Sequence, residues 1–183
     1  MWLPDVYHGS PTLVTTVLAS ISKLAIGAAF FKIYMFTFFA FSFYWSNIFF
    51  LVGFFSVLFG SVAALYQTKI KRLLAYSSIS HMGFVLLAFS CNSIEGFASA
   101  IYYLLVYSVL SLGVFLILIT VKDFQTDAEL SDLIDFSYLN NVNAFLSFTF
   151  ILFMYSLAGI PPLIGFLIKL SVFSLLIENQ EYY

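Results

Sequence analysis

Between Ile33 and Leu65 the chain carries no charged side chain, and no other feature limits its fold as much. Roughly 20 apolar residues already cross the ~30 Å hydrocarbon core of a bilayer, so a run of this length belongs in lipid. There each backbone amide must be paired without help from water, which a helix achieves within one segment. The Tyr44-Trp45-Ser46-Asn47 cluster is the one polar interruption of the run, and it divides two spans.

Similar apolar stretches recur, and five spans are expected, over 12–43, 47–66, 72–90, 97–121 and 142–177. The first is too long to cross once as a straight helix, which predicts breaks or strong tilt. The expected architecture is therefore all-α and polytopic, with about five transmembrane helices, two of them broken. A single transmembrane domain covers 1–183, with an inner-surface connector at 122–141. Composition agrees, because 62% hydrophobic and 9% charged residues, at a mean hydropathy of +1.03, leave too little polar surface to cover a soluble chain of this length. The lone Cys91 has no partner for an intrachain disulfide, and one thiol with two histidines builds no zinc or redox motif. So few charges give no support for nucleic-acid binding.

Most basic side chains outside the spans lie in the turn Gln67-Thr68-Lys69-Ile70-Lys71-Arg72, with Lys122 on the same side. The positive-inside rule makes that side cytoplasm or matrix, which puts the N-terminus inside and the Glu178-Asn179-Gln180-Glu181 tail outside. In the connector, Thr126-Asp127-Ala128-Glu129 has capping-box spacing. Leu130, Leu133 and Ile134 then share a helical face among Asp132 and Asp135, the pattern of a surface helix that covers the protein or meets a partner. Residues 1–11 lack a basic leader or an Arg/Ser-rich amphipathic pattern and read as a polar turn, the start of one piece of something larger.

Lys23, His81 and Lys169 interrupt otherwise lipid-grade segments. A span tolerates such groups where they face protein or water, so a functional site is the default expectation. At about 1.5 Å rise per residue, Lys23 lies roughly 16 Å beyond Thr12 and His81 roughly 15 Å beyond Lys71. Both are near the midplane, out of snorkelling reach of an interface. Lys169 would lie about 40 Å beyond Val142 on a continuous helix. Gly159-Ile160-Pro161-Pro162 breaks that helix by removing two amide donors, and non-helical backbone at depth persists only in protein or beside a wet cavity.

A lysine removed from water parts with its proton more readily than an exposed one, and histidine relays on two nitrogens. Two lysines separated by a histidine, with water between, make a proton wire. Blander readings stand beside this one. Lys23 can pair with an acid of another chain, and His81 can satisfy Ser77, Ser78 and Ser80. Lys32 either extends the path or snorkels, and Glu95, beside Asn92 and Ser93, is a solvated turn residue. No redox centre or nucleotide motif is present, while driving a proton against a potential costs about 2.3 kcal/mol per 100 mV. The energy must come from elsewhere. Phenylalanine and tyrosine runs such as Phe36-Thr37-Phe38-Phe39-Ala40-Phe41 read as lipid-facing bulk, and their abundance hints at an AT-rich organellar gene.

Three stretches carry a family resemblance: Trp2-Leu3-Pro4-Asp5-Val6-Tyr7-His8-Gly9-Ser10-Pro11-Thr12 with Ser22-Lys23, then Gln67-Thr68-Lys69-Ile70-Lys71-Arg72-Leu73-Leu74-Ala75-Tyr76-Ser77-Ser78-Ile79-Ser80-His81-Met82-Gly83, and Ser156-Leu157-Ala158-Gly159-Ile160-Pro161-Pro162-Leu163-Ile164-Gly165-Phe166 with Lys169. In order and spacing they resemble the antiporter-like subunits of respiratory NADH:quinone oxidoreductase, complex I, over nearly the whole chain. Asp5-Val6-Tyr7 and the terminal lysine are most similar to subunit 2, where its relatives tend to carry Asp-Ala-His or a glutamate.

The resemblance implies that Lys23 is the central-axis lysine, His81 the relay histidine and Lys169 the lysine of a broken helix facing an output half-channel. Ile168 stands where the family commonly has glycine. It also implies the C-terminal part of a split subunit, whose earlier helices and glutamate–lysine pair come from another polypeptide. Such a chain is a non-redox subunit of an H+-translocating NADH:ubiquinone reductase and is inactive in isolation. It binds no cofactor itself, since NADH, FMN, iron–sulfur clusters and quinone sit in partner subunits. Its partners are that polypeptide, other membrane-arm subunits and lipids. Its place is the mitochondrial inner membrane or, alternatively, a bacterial inner membrane. Two other functions fit the motifs: a subunit of a cation/proton antiporter complex, and a structural membrane-arm fragment that does not conduct. A merely structural copy has no chemical reason to bear the desolvation cost of three buried polar groups.

Overall fold

The computed structural model describes residues 2–121, 132–133, 136 and 143–180, and the regular elements among them are all helical. In chain order these are α1 (Leu3–Gly9), α2 (Thr12–Ala19), α3 (Ile21–Ile33), α4 (Ser42–Leu65), α5 (Ile70–Ser90), α6 (Ile94–Thr120), α7 (Ala144–Ala158) and α8 (Ile164–Gln180). Thr12–Phe38, α4, α5 and α6 are each long and apolar enough to cross a membrane. The fifth expected span is split into α7 and α8. The fold is thus all-α and polytopic, with two interrupted crossings.

The first crossing breaks in two places. Ser20, at φ −112° and ψ −74°, separates α2 from α3. Beyond α3, a π-helical turn over Tyr34–Phe38 and a 3-10 turn over Phe39–Phe41 lead into α4. The division of the uncharged run therefore falls at 34–41 rather than at Tyr44-Trp45-Ser46-Asn47, which is helical inside α4. Isolated serine and asparagine side chains do not stop a helix in lipid, where the backbone has no other partner for its amides.

The expected N-terminal turn is a helix. Pro4 occupies the first turn of α1, where its missing amide costs nothing, and Tyr7 is fully buried beneath it. α1 packs on the start of α5. Arg72 donates to Asp5 at 2.8 Å, and Lys71 donates to the Ser10 carbonyl at 3.2 Å. Lys69 Nζ lies 3.3 Å from His8 Nε2. Loss of hydration, and then the positive charges of Lys69, Arg72 and Lys71 against the opposing Asp5, hold the His8 imidazole below its ordinary pKa. At the same end the backbones of Lys69 and Asp132 pair in an isolated antiparallel β-bridge, and the Leu133 amide donates to the Thr68 carbonyl at 3.0 Å. Phe136 stacks on Phe150 at 5.3 Å. Lys122, the 126–129 capping pattern and the rest of the expected surface helix lie outside the described residues.

α5 and α6 carry most of the buried side chains and form the centre of the bundle. α4 lies along α5 at glycine contacts: a Cβ on Gly60 would fall 2.7 Å from the Ser80 nitrogen, and one on Gly53 would fall 3.0 Å from the Gly83 oxygen. Close backbone approach of this kind gathers the dispersion contacts that drive helix pairing in lipid. The opposite face of α4 presents Phe50, Leu51, Phe54, Phe55, Leu58, Phe59 and Val62 outward. Phe36 and Phe41 are likewise exposed, as expected of lipid-facing bulk. That expectation fails for Phe30, Phe31, Tyr34, Phe49, Phe89 and Phe97, which pack ring against ring at 5.4–6.5 Å inside the far end of the bundle.

Candidate functional site

Lys23 stands one turn into α3, just after the break at Ser20, and its side chain is partly buried. Its Nζ donates to the Tyr107 hydroxyl at 3.2 Å. It also lies 5.1 Å from the centre of the Tyr107 ring and 5.5 Å from that of Tyr7, positions that suit a cation over an aromatic face. Among the described residues no carboxylate pairs with it. The Tyr7 hydroxyl is buried without a hydrogen-bond partner.

His81, on α5, is buried at 5% exposure. Its Nδ1 is 2.7 Å from the Tyr103 hydroxyl, and its ring packs 4.9 Å from that of Tyr107. The neighbouring serines are not its partners. Ser77, Ser78 and Ser80 each donate to the carbonyl three residues back, at 2.9, 2.7 and 2.8 Å. A serine on a helix in a dry setting finds its own backbone first, and the histidine turns to α6.

Lys169 depends on the helix break. α7 ends at Gly159 in the left-handed conformation (φ 85°), which glycine adopts without the Cβ penalty. Pro161 and Pro162 then carry the chain to α8. The last carbonyls of α7 have no following helical amides to accept from, and Lys169 Nζ takes two of them, Leu157 at 3.0 Å and Ala158 at 2.8 Å. The lysine thus caps the helix that its own segment interrupts. Gly165 is buried against Ser156, close enough that its amide donates to the Ser156 hydroxyl at 3.4 Å. Ile168 is buried in the core at 2% exposure.

His81 and Lys169 line one cleft of about 240 Å³, together with Ser61, Ser77, Ser80 and Leu157. Ala64 and Leu73 carry its wall toward the α4–α5 turn. Among its largely apolar lining, the three serine oxygens keep lone pairs that a water could use. Lys23, His81 and Lys169 are therefore brought into one interior line, Lys23 to His81 through Tyr107 and His81 to Lys169 through the cleft. Lys32 is not part of it, being exposed in the last turn of α3. Tyr103 and Tyr107 are the residues the sequence reading missed by treating tyrosine as bulk. Their spacing of one helical turn, continued by Ser111 on the same buried face, was the available signal.

Interrupted helices around buried cationic side chains are the architecture of ion-handling membrane proteins. The chain belongs to the NADH:quinone oxidoreductase/Mrp antiporter transmembrane family, which it matches over residues 1–183. It is 41% identical over 179 residues to NADH-quinone oxidoreductase subunit N of Neisseria gonorrhoeae, covering 98% of this chain and 37% of that protein. It is 38% identical over 173 residues to NADH-ubiquinone oxidoreductase chain 2 of Marchantia polymorpha, covering 94% and 34%. In structure it is similar to a chain of respiratory complex I from Thermus thermophilus solved with bound aureothin, at a TM-score of 0.78 and 32% identity over 97% of this chain and 38% of that one. The chain spans little more than a third of the length of these relatives.

Proposed function

We propose that this chain is a membrane-arm component of an NADH:quinone oxidoreductase and carries part of its proton path, with Lys23, His81 and Lys169 as the proton-handling groups. The observation that supports the reading is their common interior line, each held by neutral partners and two of them lining one cleft with three serines. A lysine whose partners are a phenol or backbone carbonyls is free to change charge without stranding a buried counter-ion. The relatives, both NADH:quinone oxidoreductase subunits, favour this reading over a cation/proton antiporter subunit, which the same family also contains.

In this role the chain oxidises nothing. NADH, flavin, iron–sulfur clusters and quinone belong to other subunits, and redox energy reaches the lysines through the membrane arm. The host membrane is a mitochondrial or bacterial inner membrane, and Lys32 is a snorkelling residue rather than a step of the path.

Replacing Lys169 with methionine tests the proposal. The assembled complex is expected to oxidise NADH while moving fewer protons per electron, measured with a pH-sensitive dye in sealed vesicles. An unchanged proton-to-electron ratio in a complex of normal abundance refutes it.

A further inference from the structure

α6 delivers two phenols to the site, and each engages a different titratable group. Tyr107 accepts from Lys23 Nζ at 3.2 Å and packs against the His81 ring. One turn earlier, Tyr103 meets His81 Nδ1 at 2.7 Å. Both side chains are buried, at 4% and 0% exposure. Ser78 of α5 is a further side-chain hydrogen-bond partner of Tyr107, and the contacts to Lys23 and His81 are those that tie the two phenols to the titratable groups.

We propose that Tyr107 and Tyr103 are positioning residues for the Lys23–His81 pair, Tyr107 keeping Lys23 beside the imidazole in both of its charge states and Tyr103 fixing which imidazole nitrogen faces Lys169. This rests on the proton-handling reading of Lys23 and His81 given above. A hydroxyl suits the first task because it both accepts and donates. It accepts from the ammonium, and after the proton leaves it rotates to donate to the amine. A carboxylate could only accept and would hold the charge in place, whereas a backbone carbonyl could not donate at all.

The second task follows from relative basicity. Imidazole nitrogen is a better acceptor than a phenol oxygen, so Tyr103 donates to Nδ1. The hydrogen of the neutral ring is then assigned to Nε2. His81 lines the cleft it shares with Lys169, so a proton arriving on one nitrogen and leaving from the other follows a set direction. Helix α6 thereby acts as a ruler, with Tyr103 and Tyr107 one turn apart and aimed at α5 and α3.

The test uses the assembled complex in sealed membrane vesicles, with Tyr107→Phe, Tyr103→Phe, Lys23→Met and the double variant Tyr107→Phe/Lys23→Met. The titratable groups that face the pair are Tyr7 of α1, Tyr103 and Tyr107 of α6, and Lys169 of α8. All except the substituted one stay in place in the single tyrosine variants. Each phenylalanine keeps the ring and removes one hydroxyl. Proton translocation is expected to fall roughly 10- to 100-fold in Tyr107→Phe, the value of one hydrogen bond to a charged group, and roughly 2- to 10-fold in Tyr103→Phe, the value of one between neutral groups, and its pH profile is expected to move. The double variant should be no worse than Lys23→Met.

A loss that follows complex abundance, with an unmoved pH profile, assigns the tyrosines a packing role and overturns the inference. Should the phenylalanine variants fail to assemble, fluorotyrosine at position 107 decides, because it keeps the shape and makes the phenol more acidic. A shifted pH profile supports the proposal and an unshifted one overturns it. If Lys23→Met pumps normally, the underlying functional reading falls. If Lys23→Met fails while the tyrosine variants match the unmodified complex, only the positioning role falls.

Discussion

Gly165→Ala puts the helix break under direct test. A methyl at Gly165 would sit on the Ser156 carbonyl oxygen, 2.7 Å from the carbonyl carbon and 3.5 Å from Cα. Carbon atoms rest about 3.5–4.0 Å apart, so α8 must retreat from α7 by about 1 Å, and no side-chain rotation relieves a clash with backbone. Lys169 rides on α8, and its bonds of 3.0 and 2.8 Å to Leu157 and Ala158 would stretch past useful hydrogen-bond length. Overpacking costs about 1–3 kcal/mol and a lost bond from a charged donor about 1.5–3 kcal/mol, so the substitution costs about 3 kcal/mol or more. The assay is the thermal stability of the assembled complex in mild detergent, read beside proton translocation, with Gly9→Ala as the matched control because nothing lies within 4 Å of a Cβ there. A Gly165→Ala complex as stable and as well coupled as the Gly9→Ala complex would refute the packing argument.

Other outcomes follow from the same geometry. Gly60→Ala forces α4 off the Ser80 nitrogen at 2.7 Å and the Tyr76 oxygen at 2.9 Å; about 1–3 kcal/mol of stability should be lost, read as a lower melting temperature. The depressed His8 pKa gives docking of α1 a pH dependence. Because the undocked histidine binds a proton more readily than the docked one, docking is fully stable above the ordinary histidine pKa of 6.5 and weakens as pH falls below it. Hydrogen exchange of residues 3–9 should accelerate below that pH, and His8→Gln should remove the acceleration.

How far the residues announced this structure depended on where each signal lay. The crossings were legible because hydropathy is summed over many residues, and the α7–α8 break was legible because Pro161 and Pro162 remove amides wherever they stand. Lys23, His81 and Lys169 stood out as polar groups in apolar surroundings. Breaks in the first crossing were expected but not located, and the division from the second was placed a few residues late, because the interruptions lie at Ser20 and in a π turn over Tyr34–Phe38, neither of which has a proline to mark it. The tyrosines were lost for the opposite reason. In a chain with 24 phenylalanines and 12 tyrosines, an aromatic residue is expected background, and only the pairing of α6 with α3 and α5 separates Tyr103 and Tyr107 from lipid-facing rings. Such pairing is a property of tertiary packing that one-dimensional hydropathy does not contain.

The ring cluster of Phe30, Phe31, Tyr34, Phe49, Phe89 and Phe97 has an electrical consequence. The wall of the cleft beside His81 and Lys169 runs toward the α4–α5 turn, while these rings fill the other end of the bundle with carbon. Water entering the cleft would make the medium there highly polarisable and able to sustain little voltage, so most of a transmembrane potential would then drop across the rings. A charge moved along the wet half would do little work against the field, whereas one passing the rings would meet nearly the full cost of about 2.3 kcal/mol per 100 mV. The phenylalanines would act as the dielectric of a capacitor, and enlarging or hydrating that layer would change how steeply the proposed proton movement responds to membrane voltage without touching a titratable group.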